Sequence, residues 1–315
     1  MMQEKNSKQK KLLPFLKDKS TIERELFKNR LNEKKLLSSI ESALSQKKGS
    51  PFVIPKRGQP VIALMSGGID TTVVIGMLIE FFGLRVYPLI IDRQLPHSRK
   101  IKAVCKDLSD YFKNKYPTHF HQPFTISQKM PHQKFSLLYR FENTILFDQQ
   151  REGIPLQPAL YAYLAVQYGK YLRATQNVYP QTIFGGWLPE NSEWYRYESL
   201  SSLRSTMLQI ATMEHDFSWQ FTSLAIEKEL GLYLSKAQLV AIGHTLGIPL
   251  EKTWTCYKGK RHQCGTCPPC WTRQQAFKLA GVVDETIYKE GFNLKNKFND
   301  GREFLRDVKR NFIKK

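Results

Sequence analysis

No stretch of this sequence is long and apolar enough to cross a bilayer. The longest apolar region, residues 73–82, falls well short of the ~20 residues a spanning helix needs and carries Glu80. The opening residues are rich in Lys and Gln and lack the apolar centre of a secretory leader. The expectation is a cytoplasmic protein without a membrane partner. No internal repeat is visible. The phosphate-binding spacings G-x-x-x-x-G-K-[ST] and G-x-G-x-x-G are both missing, and no side-chain nucleophile is conspicuous. Cysteine is scarce: of five, Cys105 stands alone and the other four fall within residues 256–270. Such clustering without a secretory leader points to a metal rather than to disulfides.

What is present describes an ordinary globular chain of 315 residues, with 41% hydrophobic and 12% aromatic residues. The net charge of +20 is unevenly spread. Residues 1–60 carry 15 Lys/Arg against 6 Asp/Glu, and residues 289–315 carry 9 against 4. Basic ends suit polyanions, but they suit a solvated tail better, so nucleic acid is not the favoured partner.

From Pro60 onward short apolar runs alternate with helical periodicity. "VIALM" (61–65), "RVYPLII" (85–91), "HFHQPFTI" (119–126) and "TIFGGW" (182–187) read as strands. Residues 69–82, 98–114, 157–173, 199–215 and 235–246 read as helices. The alternation predicts an α/β fold, a doubly wound parallel sheet of about five strands, with a small C-terminal zinc subdomain. Three regions are expected: a basic helical extension and linker (1–59), an α/β domain (60–250) and a zinc-binding, helical C-terminal region (251–315). Within the extension, Ser20-Thr21-Ile22-Glu23 reads as a capping box opening one helix over 20–46, a packing or dimer element.

The stretch "ALMSGGIDTT" (63–72) falls at the carboxyl end of the first strand, where such sheets bind ligands. Gly67 and Gly68 let backbone N–H groups converge on an anion, and the helix that follows adds its positive end. Ser66, Thr71 and Thr72 offer hydroxyls. Asp70 would repel phosphate directly, which suits it to holding Mg²⁺, a ribose or a water. The bare pair is expected to serve an approaching pyrophosphate rather than a tight turn. Further on, Cys256, Cys264, Cys267 and Cys270 have the spacing C-x7-C-x2-C-x2-C. Four thiolates suit a closed tetrahedral Zn²⁺ site, preferred over an iron–sulfur cluster. Ser235 and Gln238 form a capping box that places Lys236 in a first helical turn, where a cation opposes the dipole. That placement is tolerable if Lys236 faces a phosphate or a carboxylate.

The glycine loop resembles the S-G-G-x-D-[ST] loop of the ATP pyrophosphatases. Taken with the cysteine cluster, "LYLSKAQLVAIGHTLGIPLEKTWTCY" (232–257), Arg273 and "QQAF", the chain resembles the 7-cyano-7-deazaguanine synthase family of the queuosine pathway. The resemblance spans roughly residues 60–285. It implies ATP, Mg²⁺ and Zn²⁺ as cofactors and a deazapurine carboxylate as substrate. It places Asp70 and Lys236 in catalysis, and Leu64, Ser66, Gly67, Gly68, Asp70, Thr71 and Thr72 around ATP. Asp92, His97, Gly186, Glu190 and Tyr195 are expected to bind substrate. The implied reaction adenylates 7-carboxy-7-deazaguanine with release of pyrophosphate. Ammonia then displaces AMP, and a second ATP converts the amide to the nitrile. A homodimer is also implied.

The match is weaker between its ends. Gln157 and Pro158 stand where the family has Arg and Asn, the Tyr-Pro-Asp after the fourth strand is missing, and the second strand is not followed by Gly-Gln. A divergent relative, of the kind found in antiphage (antiviral defence) systems, is therefore a second reading. It would pass the activated deazapurine to a protein or another amine. A nucleic-acid-binding protein on an inactive scaffold is a third reading, disfavoured by the intact glycine loop.

Overall fold

The computed structural model describes residues 10–28, 31–94, 98–128, 156–194, 196–257 and 261–289. Five strands, β1 (Pro60–Leu64), β2 (Arg85–Asp92), β3 (Phe124–Ser127), β4 (Thr182–Gly185) and β5 (Gln220–Ser223), form one sheet in the order β3-β2-β1-β4-β5. Every neighbouring pair is parallel. The strands are short and fully apolar in β1 because both of its faces are covered; all but Pro60 are buried.

Helices supply that cover: α1 (Lys19–Phe27), α2 (Leu31–Lys48), α3 (Ile69–Glu80), α4 (Ser98–Lys115), α5 (Gln157–Gln176), α6 (Pro189–Trp194), α7 (Leu200–Met213), α8 (Lys236–Thr245) and α9 (Pro268–Ala280). The apolar region at 73–82 belongs to α3, which is buried on nearly every side between sheet and α8. Glu80, the one acid of residues 73–82, accepts a hydrogen bond from the Tyr116 hydroxyl at 2.7 Å. Among the described residues no helix is long and apolar enough to cross a membrane.

The α/β class and the five parallel strands agree with the sequence reading. Two local expectations differ. β5 has no counterpart among the strands expected from sequence, since "QFTS" carries one apolar residue; all four residues are nevertheless buried, because α7 covers the strand. The N-terminal helix is two helices, and the cap of the first is Asp18, whose carboxylate accepts the Thr21 N–H at 2.9 Å. An acid two residues upstream competes successfully for the orphan N–H groups that Ser20 was expected to satisfy.

The extension is fastened to the sheet domain. Ile22, Phe27, Leu37 and Leu44 are buried within the same chain. Beneath them Arg204, fully buried, donates to both oxygens of Glu227 at 3.0 and 2.6 Å and pairs with Glu41 of α2 at 3.4 Å. Lys228 reaches Glu41 at 2.7 Å and Glu23 of α1 at 3.3 Å. The packing role of the N-terminal helices is thus met inside one chain.

Candidate active site and metal centre

In sheets of this order the crevice opens between β1 and β4, where the strand sequence reverses. The glycine loop lies there. Gly67 has φ +75°, the left-handed region that penalises other residues. A Cβ at Gly67 would also sit 3.0 Å from Val104 Cγ1 and 3.3 Å from the Cys105 sulfur. The turn and its packing on α4 therefore account for Gly67, contrary to the expectation that neither glycine serves a turn. Gly68 differs. It is the N-cap of α3 with φ −79°, and a Cβ there would meet only Ser66 Oγ at 3.4 Å and the Trp254 carbonyl at 3.9 Å. Nothing among the described residues requires Gly68 to be bare.

The hydroxyls divide as well. Thr72 is buried and donates to the Gly68 carbonyl at 2.6 Å, which ties the loop to its own helix. Ser66 Oγ and Thr71 Oγ1 lie 3.0 Å apart at the exposed rim. Leu64 is buried in the last position of β1. Gly186, after β4, is bare for a packing reason, since a Cβ would lie 2.8 Å from the Thr71 backbone nitrogen. That close approach brings the loop after β4 onto the first turn of α3.

Around this point charges gather. Ser235 caps α8 with a complete capping box, and Lys236 is the first helical residue, as its sequence context requires. The Lys236 ammonium donates to Asp70 Oδ2 at 2.9 Å, and its backbone N–H donates to Glu190 Oε1 at 3.0 Å. Asp70 Oδ1 is buried without a hydrogen-bond partner among the described residues. Burial and, to a lesser degree, the Asp70 charge push the Glu190 carboxyl above its ordinary range. Glu198 behaves similarly and more strongly. Burial raises it to about 7, the Asn191 hydrogen bond opposes this, and the Asp70 charge adds to it. One Glu198 oxygen, Oε2, also has no partner among the described residues. Sequence reading missed Glu198: it lies in the "YRYES" stretch that departs from the family pattern, and only the fold turns it toward Asp70.

Asp92 ends β2 and is held by Lys102 at 2.6 Å, the Gln94 N–H at 2.9 Å, Ser127 at 3.5 Å and the Ser98 side chain. Burial works against its ionisation, but Lys102 and Gln94 keep its pKa below the usual value. His97 and Tyr195 lie outside the described residues.

The four clustered cysteines meet. Their sulfurs all lie within 4.8 Å of one another. Cys264 and Cys270 are 3.9 Å apart, and Cys267 and Cys256 are 4.0 Å apart. A tetrahedron with Zn–S bonds of about 2.3 Å has edges of about 3.8 Å. The donor set and spacing therefore fit zinc. Backbone N–H groups of Thr266 and Cys267 point at the Cys264 sulfur at 3.3 and 3.2 Å, as thiolates require. The Cys270 hydrogen bond, with backbone N–H donors and against burial, holds Cys267 down at about 5.

The metal centre touches the glycine loop. Trp254 donates its backbone N–H to the Gly67 carbonyl at 2.9 Å and its indole N–H to the Cys256 carbonyl at 2.7 Å. Arg273, fully buried, clamps the same segment through Thr253 at 2.7 Å, the Leu250 carbonyl at 2.8 Å and Thr286 at 2.6 Å. Four cysteines beside a glycine loop define an α/β protein whose cysteine-rich appendage buttresses the loop at the crevice of the sheet.

Comparison with known proteins places that class. A family model described as queuosine biosynthesis protein QueC matches residues 203–281. The chain is 51% identical over 57 residues to a 7-cyano-7-deazaguanine synthase of Chelativorans sp., an alignment covering 18% of this chain and 25% of the relative. It spans about a quarter of the length of such relatives over these short, strong matches. A longer alignment, 29% identical over 241 residues, covers 72% of this chain and 97% of the Clostridium kluyveri 7-cyano-7-deazaguanine synthase. The synthase of Thermoplasma acidophilum is 24% identical over 73% of this chain and 92% of its own length. The chain is thus similar to 7-cyano-7-deazaguanine synthases, strongly over a short C-terminal stretch and more weakly over most of its length.

Proposed function

We propose that this protein activates a 7-deazapurine carboxylate such as 7-carboxy-7-deazaguanine with ATP, releasing pyrophosphate, and passes the acyl group to a nitrogen acceptor. One observation carries the reading: Gly68, unneeded by the turn, lies beside an Asp70–Lys236 ion pair at the crevice of the sheet. Backbone N–H groups at the start of α3 bind the phosphates, and the absent side chain lets them come close. Lys236 stabilises charge that grows on the phosphates as the bond to the α-phosphorus breaks. Asp70 anchors that ammonium and keeps its second, unpaired oxygen available. Mg²⁺ fits beside Asp70 Oδ1, a buried oxygen with no partner among the described residues, and would supply charge neutralisation when bound. Zn²⁺, held by the four cysteines, supplies structure.

The acceptor separates the two enzymatic readings. Gln157, which stands where the family has a different polar residue, donates to the Tyr161 hydroxyl at 2.7 Å and so is engaged within α5. That departure supports a relative whose acceptor is an amine other than ammonia. Purified protein is incubated with ATP, Mg²⁺ and 7-carboxy-7-deazaguanine, and pyrophosphate and product mass are measured. Release of pyrophosphate is expected. A nitrile on adding ammonium identifies ammonia as acceptor; no nitrile identifies the amine reading. Pyrophosphate release unchanged in Asp70→Ala would defeat the assignment of the loop.

A further inference from the structure

The first turn of α4 reads Ser98-Arg99-Lys100 and contains no acid, although the positive end of a helix disfavours cations. This helix starts just beyond the carboxyl end of β2, on the same edge of the sheet as the glycine loop. One turn further along, Val104 and Cys105 pack directly under Gly67. The Lys100 ammonium lies 4.6 Å from the centroid of the Trp254 ring, and Trp254 is the residue whose N–H is bonded to Gly67. Its helix neighbours Lys102 and Lys106 are ion-paired with Asp92 and Asp110. Lys100 has no carboxylate partner among the described residues. It is a cation held at the rim of an anion-binding loop by an aromatic face that does not neutralise it.

We infer that Lys100 is a second cation of the glycine loop, positioned by Trp254 to bind the pyrophosphate that leaves a nucleoside triphosphate. The inference rests on the reading of the loop as a triphosphate site. As the substrate carboxylate oxygen bonds to the α-phosphorus, the bond from that phosphorus to the oxygen bridging the β-phosphate breaks. The electron pair departs with pyrophosphate, and Lys100 neither gives nor takes a proton. An ammonium resting on a ring face can turn to phosphate without first breaking an ion pair, so its charge is available as the leaving group forms.

Equilibrium binding of magnesium pyrophosphate to the full chain tests this without turnover. Lys100→Met keeps the apolar stem on Trp254 and removes the charge. It is expected to weaken pyrophosphate binding about tenfold, the size of one charge-assisted contact. Lys100→Arg should stay close to wild type, and Lys106→Ala, on the same helix, should not differ from it. In turnover, Lys100→Met should raise the KM for ATP and relieve inhibition by added pyrophosphate by similar factors. Binding and inhibition unchanged in Lys100→Met would overturn the inference while leaving the loop reading intact. Wild-type protein that binds neither pyrophosphate nor ATP would overturn both.

Discussion

The Lys236 ammonium lies 2.9 Å from Asp70 Oδ2 and joins the first turns of α8 and α3 across 166 residues of chain. Each group is about one-fifth exposed, so the pair is open to a ligand and contributes little to folding. Asp70→Ala and Lys236→Met should each lower pyrophosphate release by about a hundredfold or more, as loss of a preorganised charge does. Melting temperatures should hardly move. Because the two groups act as a unit, the double variant should lose little more than either single one, which a double-mutant cycle in pyrophosphate release measures.

The two glycines should part company. Gly67→Ala forces a Cβ into a left-handed backbone and against Val104, and should destabilise the fold by about 1–2 kcal/mol or more. Gly68→Ala fits its space and should cost under about 1 kcal/mol, the scale of an N-cap change. Its effect should appear in ATP affinity instead. Denaturant unfolding and ATP titration on both variants separate the roles; equal ATP affinity in Gly68→Ala and wild type would remove the main support for phosphate binding there.

Elemental analysis should find one zinc per chain, and Cys267→Ser or a strong chelator should remove it. Because Trp254 bridges the Cys256 carbonyl and Gly67, metal loss should lower both the melting temperature and ATP affinity. Two irons, or acid-labile sulfide, would replace zinc with a cluster.

Glu198 makes stability depend on pH. Its folded pKa of about 7 exceeds the ordinary carboxyl value of 4.5, so the folded state holds its proton more tightly than the unfolded chain. That contribution is complete below pH 4.5 and is lost as pH rises through about 7. Glu198→Gln should flatten this part of the stability profile, read as denaturant midpoints at pH 5 and pH 8. A wild-type profile with the same slope as the variant would contradict the burial of a carboxyl there.

The Arg204–Glu227 pair is wholly buried, and Glu227 also accepts the Thr222 hydroxyl at 2.6 Å. Glu227→Ala should cost about 3–5 kcal/mol, since Arg204 would be left charged in the core. Unfolding monitored by denaturant should show it, with the N-terminal helices loosening together with α7.

Much of the architecture was legible because its signals are local. The apolar runs of β1 and β2, the capping box at Ser235 and the C-x2-C turns each state their structure within a few residues. β5 was not legible because "QFTS" is a strand only through its neighbours: β4 pairs with it and α7 buries it. Asp18 displaced the expected cap at Ser20 through a competition for the same N–H groups that a motif search does not weigh. The candidate site divides along the same line. The loop, Lys236 and Trp254 stand in recognisable motifs, whereas Glu198 and Lys100 acquire meaning only from what they face.

The sequence by itself determined that a parallel sheet would form, that its first turn would be bare of side chains and that four thiols would converge, because each follows from short-range periodicity, turn chemistry or spacing. Only the tertiary structure decided which glycine the turn consumes and which it leaves over. That depends on where α4 and Trp254 press on the loop, and both contacts arise from chain distant in sequence. The same holds for charge: Glu190 and Glu198 are unremarkable one by one, and burial beside the Asp70–Lys236 pair raises the proton affinity of both carboxyls.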